Sequence, residues 1–154
     1  MALEIERRFL LQDPSVVHGL EGIFIRQAFL ELKKEGVLRV RVAGDRASLT
    51  LKILRTAVTR IEYEYEIPLK DGEALFHLCD RPPLEKDRYR LRFGDRLWEI
   101  DVFRGENKGL VIAEIEIERE DAVFPMPSWA GQEITGDFRY LNNHLYRHPY
   151  RSWR

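Results

Sequence analysis

The sequence predicts a mainly β fold of antiparallel strands, flanked by a few helices. Three observations carry this expectation. Runs such as Arg-Ile-Glu-Tyr-Glu-Tyr-Glu-Ile at 60–67 place charge at every second position, the pattern of a strand with two unlike faces. Short connections with turn chemistry join neighbouring runs: Ala-Gly-Asp-Arg at 43–46, Phe-Gly-Asp-Arg at 93–96 and Arg-Gly-Glu-Asn-Lys-Gly at 104–109. Such links make hairpins and are too short for the crossovers of a parallel sheet. Helix signals are few.

About eight strands are expected, at residues 4–11, 24–31, 37–43, 47–53, 60–67, 87–93, 96–103 and 111–118. Asp13 followed by Pro14 reads as a helix start, a capping carboxylate with proline in the first turn. A second helix is expected over 71–80, stopped by Pro82 and Pro83. A third runs from an Asp137 cap to the residue before Pro149, in a stretch from Phe138 onward that carries no acid. No linker, repeat or low-complexity segment divides the chain, so one domain over residues 1–154 is expected.

Charged residues make up 33% of the sequence, yet Lys+Arg 25 against Asp+Glu 26 leaves a net charge of −1. That balance argues against a nucleic-acid partner, which calls for a basic excess, and leaves both signs available to one local site. The single cysteine, Cys79, cannot make an internal disulfide and reads as a structural thiol. No apolar run approaches membrane-spanning length and no leader precedes Glu4, so a cytoplasmic protein without a membrane partner is expected. His144 and His148 stand four apart but lack a carboxylate motif nearby, and no metal role is assigned to them.

The alternation also sorts the charges. Glu4, Glu6 and Arg8 share a face opposite Ile5 and Phe9; Arg39 and Arg41 oppose Val40; Ser48, Thr50 and Lys52 oppose Leu51. Arg60, Glu62, Glu64 and Glu66 oppose Ile61; Lys86, Arg88, Arg90 and Arg92 oppose Tyr89; Glu99 and Asp101 oppose Ile100; Glu114, Glu116 and Glu118 oppose Ile115. A solvated sheet face is one explanation. Acids and bases are segregated by strand, however, and like charges held close repel. A fold that gathers them has a use for something of complementary charge. Carboxylates two residues apart suit Mg²⁺ or Mn²⁺; arginines on neighbouring strands suit phosphate oxygens. A site of both kinds fits a metal–polyphosphate complex. Gly-rich phosphate loops are missing, so side chains within a sheet would have to hold the phosphates.

Glu-Ile-Glu-Arg-Arg-Phe near the start, then Arg-Val-Arg-Val, Leu-Thr-Leu-Lys, Glu-Tyr-Glu-Tyr-Glu-Ile, Glu-Lys-Asp-Arg-Tyr-Arg, Trp-Glu-Ile-Asp-Val-Phe, Ala-Glu-Ile-Glu-Ile and Ile-Thr-Gly-Asp-Phe-Arg-Tyr-Leu-Asn-Asn-His-Leu together resemble the CYTH, or triphosphate tunnel metalloenzyme, superfamily. The match runs in order from Glu4 to about Leu145 and is nearest to its short bacterial members. The resemblance implies an eight-stranded antiparallel β-barrel forming an open tunnel with a charged lumen. The charged positions above would point inward, with Ile5, Val40, Leu51, Ile61, Ile100 and Ile115 facing outward under helices.

By the same resemblance, Glu4, Glu6, Glu114 and Glu116 would hold metal, with Asp101 as a further metal ligand. Glu62 and Glu64 would help hold metal or orient an attacking water. Arg39, Arg41, Lys52, Lys86 and Arg88 would grip phosphate oxygens, and Arg139 would close one mouth of the tunnel. Two positions depart from the family pattern: Arg8 stands where the signature has lysine, and Phe29 where it has tyrosine. Arginine keeps the charge but does not release a proton at ordinary pH, and Phe29 has no hydroxyl. The resemblance implies hydrolysis of tripolyphosphate or another small triphosphate, such as ATP or thiamine triphosphate, with Mg²⁺ or Mn²⁺, by a monomer or homodimer. The alternatives are a class IV adenylate cyclase and a catalytically weak module that binds triphosphate or polyphosphate.

Overall fold

The computed structural model describes residues 2–32 and 36–153. In chain order it has β1 (Ala2–Leu11), a 3-10 turn (Pro14–Val17), β2 (Ile23–Glu31), β3 (Gly36–Ala43), β4 (Arg46–Leu54), β5 (Thr59–Ile67) and α1 (Leu69–Phe76). There follow β6 (Leu84–Phe93), β7 (Arg96–Phe103), β8 (Val111–Glu116), β9 (Ala130–Glu133), a 3-10 turn (Phe138–Tyr140) and α2 (Asn142–Arg147). Neighbouring strands run β5-β4-β3-β2-β6-β7-β8-β1, and β1 pairs back onto β5. All these pairings are antiparallel, so eight strands close into the expected barrel.

Closure depends on how β1 divides itself. Ala2–Ile5 pairs with β5, and Glu6–Leu10 pairs with β8 on the other edge. Where β1 leaves β5, β9 takes over the vacated edge, with Phe9 opposite Glu133 and Leu11 opposite Ala130. This ninth strand, Ala-Gly-Gln-Glu, has no apolar alternation and is not anticipated by the sequence. Gly131 brings it so close to β1 that a Cβ there would stand 2.9 Å from the Leu10 carbonyl oxygen.

The hairpin turns are as expected. Gly44 and Gly94 take φ of +60° and +64°, the left-handed conformation glycine adopts without a Cβ clash. Asp13 accepts from the Ser15 amide as an N-cap, but only a 3-10 turn follows, and α1 ends at Phe76 rather than at residue 80. The expected C-terminal helix is broken at Leu141, whose ψ of 139° is extended. A continuous helix would commit the Tyr140 carbonyl to the amide of residue 144. Arg8 on the barrel wall donates to that carbonyl at 2.9 Å instead.

Outward-facing side chains pack in two places. Val40, Val42 and Ala47 lie under α1 with Phe76; Gly72 approaches so closely that a Cβ would meet the Ala47 methyl at 2.6 Å. Ile100 and Ile115 are covered by the extended segment that carries Ala122, Phe124 and Trp129, with Trp98 and Phe9 between them and Ile5 at the margin. Cover by helices therefore holds for Val40 and not for these two. Leu51 is half-buried and Ile61 buried. Each fully buried aliphatic side chain contributes roughly 2 kcal/mol, so these outer layers free the inner face to carry charge.

The interior is divided. At one end Leu84, Phe103 and Ile112 form an apolar cluster with Leu145 and Tyr146 of α2. Two residues further along their strands the same inward parity presents Lys86, Asp101 and Glu114. The lumen thus has an apolar plug at the α2 end and a charged chamber above it, floored by Leu141, Asn142 and Asn143. No described helix is long and apolar enough to cross a membrane.

Candidate functional site

The charged chamber is a cavity of about 900 Å³, of the size that takes a small organic or inorganic ligand. Among the expected site residues, Glu4, Glu6, Arg8, Phe29, Arg39, Arg41, Lys52, Glu62, Glu64, Lys86, Arg88, Glu114 and Glu116 line it. Arg60, Arg90 and Glu99 also line it; their parity marked the same face, yet the family signature gave them no role. Two expected residues are placed differently. Asp101 has inward parity but is fully buried, covered by the cations it pairs with, its oxygens 2.7 Å from Lys86 Nζ and from Arg88 Nε. Arg139 is not among the lining residues: it donates to Asp137 at 2.7 Å and packs over Tyr140 and Trp153.

Register explains how the segregated charges coexist. Basic and acidic strands are neighbours, so opposite signs meet across the ladder: Lys52 opposite Glu62, Arg60 opposite Glu4, Arg88 opposite Asp101, Arg90 opposite Glu99 and Arg8 opposite Glu114. Lys52 Nζ stands 3.2 Å from Glu4 and 3.5 Å from Glu62; Arg60 reaches Glu6 at 3.1 Å; Arg8 Nε reaches Glu114 at 3.3 Å. Burial works to raise the Glu114 pKa, but Arg8 and Arg88 hold it down to about 2.

Two cations escape this pairing. Arg39 and Arg41 have no carboxylate within ion-pair distance among the described residues. Arg39 donates to the Thr50 hydroxyl at 3.1 Å, and its Nε is buried without a partner. Arg41 Nε donates to the Gln27 side-chain oxygen at 3.0 Å. Burial lowers the pKa of both, and with Arg39 and Arg88 alongside it brings Arg41 down to about 9. A guanidinium stays protonated at neutral pH, so each shift expresses a demand for an anion.

The acids on the opposite wall show the converse demand. Burial, with Glu114 and Glu4 close by, pushes Glu6 up to about 7 although Arg60 opposes it. Burial also raises Glu4, where a hydrogen bond with Glu62 adds, and Glu116, where Glu4 and Glu99 add. Glu6 and Glu116 stand directly opposite each other in the β1–β8 ladder. A cation would offset this excess. Among the described residues no three acids are spaced to hold an ion by themselves. An ion bound here would take one or two carboxylates and fill its remaining positions with water and phosphate.

Sequence reasoning missed Gln27 and Asn142, whose side chains lie among these charges. Gln27 shares inward parity with Phe29 on β2, a weak signal, and nothing local marks Asn142.

Fold and cavity together define a closed β-barrel protein whose candidate site is its own charged lumen. The chain belongs to the CYTH domain family, whose model matches residues 2–148. It is 44% identical to an inorganic triphosphatase of Acetivibrio thermocellus, covering all of this chain and 99% of that protein. It is 36% identical to an inorganic triphosphatase of Nitrosomonas europaea, over 92% and 95% of the two chains. The crystal structure of an inorganic triphosphatase superposes with a TM-score of 0.68 at 35% identity, over 95% of each chain. A candidate adenylyl cyclase from Hippeastrum with a dominant triphosphatase activity shares the fold at a TM-score of 0.57 and 15% identity, over 77% and 80%.

Proposed function

We propose that this protein is a divalent-metal-dependent hydrolase of tripolyphosphate or a closely related small triphosphate. The observation that carries the reading is the pair Arg39, buried, and Arg41, half-buried, which have no carboxylate partner among the described residues, facing acids whose pKa values are raised by burial and crowding. One cavity thus asks for an anion on one wall and a cation on the other. The two relatives named as inorganic triphosphatases support the same reading.

Arg39, Arg41, Lys52, Lys86 and Arg88 bind and orient the phosphate chain. Glu4, Glu6, Glu114 and Glu116 are the residues that would hold Mg²⁺ or Mn²⁺, which when bound would neutralise charge on the phosphate oxygens. Glu62 Oε2 makes no hydrogen bond among the described residues, with Lys52 Nζ 3.5 Å away, and is the acceptor suited to orient the attacking water, with the exposed Glu64 nearer the mouth. Water attacks a terminal phosphorus, the bridging P–O bond breaks, and orthophosphate and pyrophosphate leave with the water's proton released. Arg8, already bonded to Glu114 and the Tyr140 carbonyl, acts as a fixed charge rather than a proton carrier.

Purified protein incubated with tripolyphosphate, ATP or thiamine triphosphate, with Mg²⁺ or Mn²⁺ and with a chelator, tests this. Metal-dependent phosphate release, fastest from tripolyphosphate, is expected. Cyclic AMP and pyrophosphate from ATP would make it a cyclase. Tight binding of tripolyphosphate without phosphate release would make it a binding module, with Arg8 and Phe29 the reason.

A further inference from the structure

Two uncharged side chains stand among the charges of the cavity wall, Gln27 of β2 and Asn142 at the start of α2. Gln27 is fully buried. Its oxygen accepts from Arg41 Nε at 3.0 Å, and its nitrogen donates to Asn142 Oδ1 at 2.6 Å. Asn142 Oδ1 also accepts from Lys86 Nζ at 2.9 Å. The chemistry of the partners fixes both amides. Arginine and lysine only donate, so Gln27 must turn its oxygen to Arg41, which leaves its nitrogen facing Asn142. Asn142 must then answer both Gln27 and Lys86 with its oxygen. Its Nδ2, on a residue that lines the cavity, has no acceptor among the described residues.

We infer that Gln27 and Asn142 are positioning residues, an amide relay that aims Arg41 and Lys86 at the bound phosphate chain, and that Asn142 Nδ2 adds a neutral donor to the same anion. Holding Arg41 by Nε leaves both terminal nitrogens of its fork for phosphate oxygens, the edge suited to bidentate contact. The segment carrying Asn142 is then part of the anion site and not only its plug. The substrate part of this inference rests on the triphosphate reading; the relay itself does not.

The test uses one readout with substrate and one without. In the ligand-free protein, Asn142→Ala and Gln27→Ala are expected to speed hydrogen exchange at Arg41 Nε by about tenfold, as one hydrogen bond is lost. Asn142→Asp retains oxygens for Gln27 and Lys86 and should leave that exchange slow. By calorimetry with tripolyphosphate, the two alanine variants should bind about tenfold more weakly, the scale of a hydrogen bond to a charged group, and Asn142→Asp more weakly still, because its carboxylate faces the anion. In an Arg41→Ala background, Gln27→Ala should cost less than about twofold, because neighbours that act through one group are not additive.

Unchanged exchange at Arg41 in both alanine variants would overturn the relay whatever binds. Unchanged affinity in Asn142→Asp would overturn the Nδ2 contact. Full cost of Gln27→Ala in the Arg41→Ala background would show that it acts only on the fold. Relay-dependent exchange in a wild-type protein that binds no tripolyphosphate would uphold the relay and overturn the triphosphate reading.

Discussion

Arg39→Met is expected to make the ligand-free protein more stable and its anion site weaker. The Arg39 side chain is only 6% exposed, and among the described residues its Nε has no partner and no carboxylate pairs with it. Burial pulls its pKa down although Glu62 and Glu64 oppose this. Removing an orphaned buried donor is worth about 1–3 kcal/mol, and even a buried ion pair replaced by apolar chains of similar volume often leaves a protein about 1–4 kcal/mol more stable. Against this stands the bond to the Thr50 hydroxyl, about 1 kcal/mol. The net expectation is a gain of about 1–3 kcal/mol, which for a chain of this length raises Tm by roughly 2–12 °C. Thermal and urea unfolding at neutral pH and low salt, without polyphosphate or divalent cations, measures it. Adding tripolyphosphate at 100 times its Kd should stabilise the wild type by about 2.7 kcal/mol and the variant by far less. A variant less stable than wild type without anion, or one that gains as much from tripolyphosphate, would refute the claim that Arg39 is held under strain for an anion.

Glu6 binds its proton more tightly in the folded chain, its pKa raised from 4.5 to about 7. The native state therefore holds more protons across that window and loses stability as pH rises through it. Glu6→Gln should gain on wild type over the same window by as much as about 3 kcal/mol, read by urea unfolding at its two ends; a constant difference would show that Glu6 is not so perturbed. Arg8→Lys keeps a cation beside Glu114 but gives up the Tyr140 carbonyl, so stability falls by about 1 kcal/mol while phosphate release changes little. If adding Phe29→Tyr to Arg8→Lys raised the rate roughly 10²-fold or more, the scale of a restored proton-transfer partner, position 8 would have more than an electrostatic role. Arg139→Ala, outside the cavity wall, should leave tripolyphosphate affinity within about twofold, as surface changes do.

The sequence by itself determined the strands and which of their faces is charged. Side chains on a strand alternate with a period of two whatever the neighbours are, so Glu4, Glu6, Lys52, Glu62, Arg88 and Glu114 announce a common face before any fold is known. The same periodicity says nothing about whether that face meets solvent or a lumen. That needed β1 to return to β5, a pairing between distant strands that no local pattern encodes.

Tertiary structure also decided which charges are spent and which are free. Arg39 and Arg88 look alike in sequence, but register sets Arg88 opposite Asp101 and Arg39 opposite Thr50. Arg88 is therefore anchored by a carboxylate on the chamber wall, whereas Arg39 is left asking for an anion. β9 was hidden because an edge strand of four residues is held by backbone bonds and by Gly131's close approach, not by an apolar stripe. The break at Leu141 was hidden because helical spacing continues through it; only Arg8, over a hundred residues away, takes the Tyr140 carbonyl. Asn142 lies in the cavity floor and Arg139 is not among the lining residues. Period and turn chemistry are local and can be read along the chain, whereas the pairing of buried charges depends on distances that exist only once the barrel has closed.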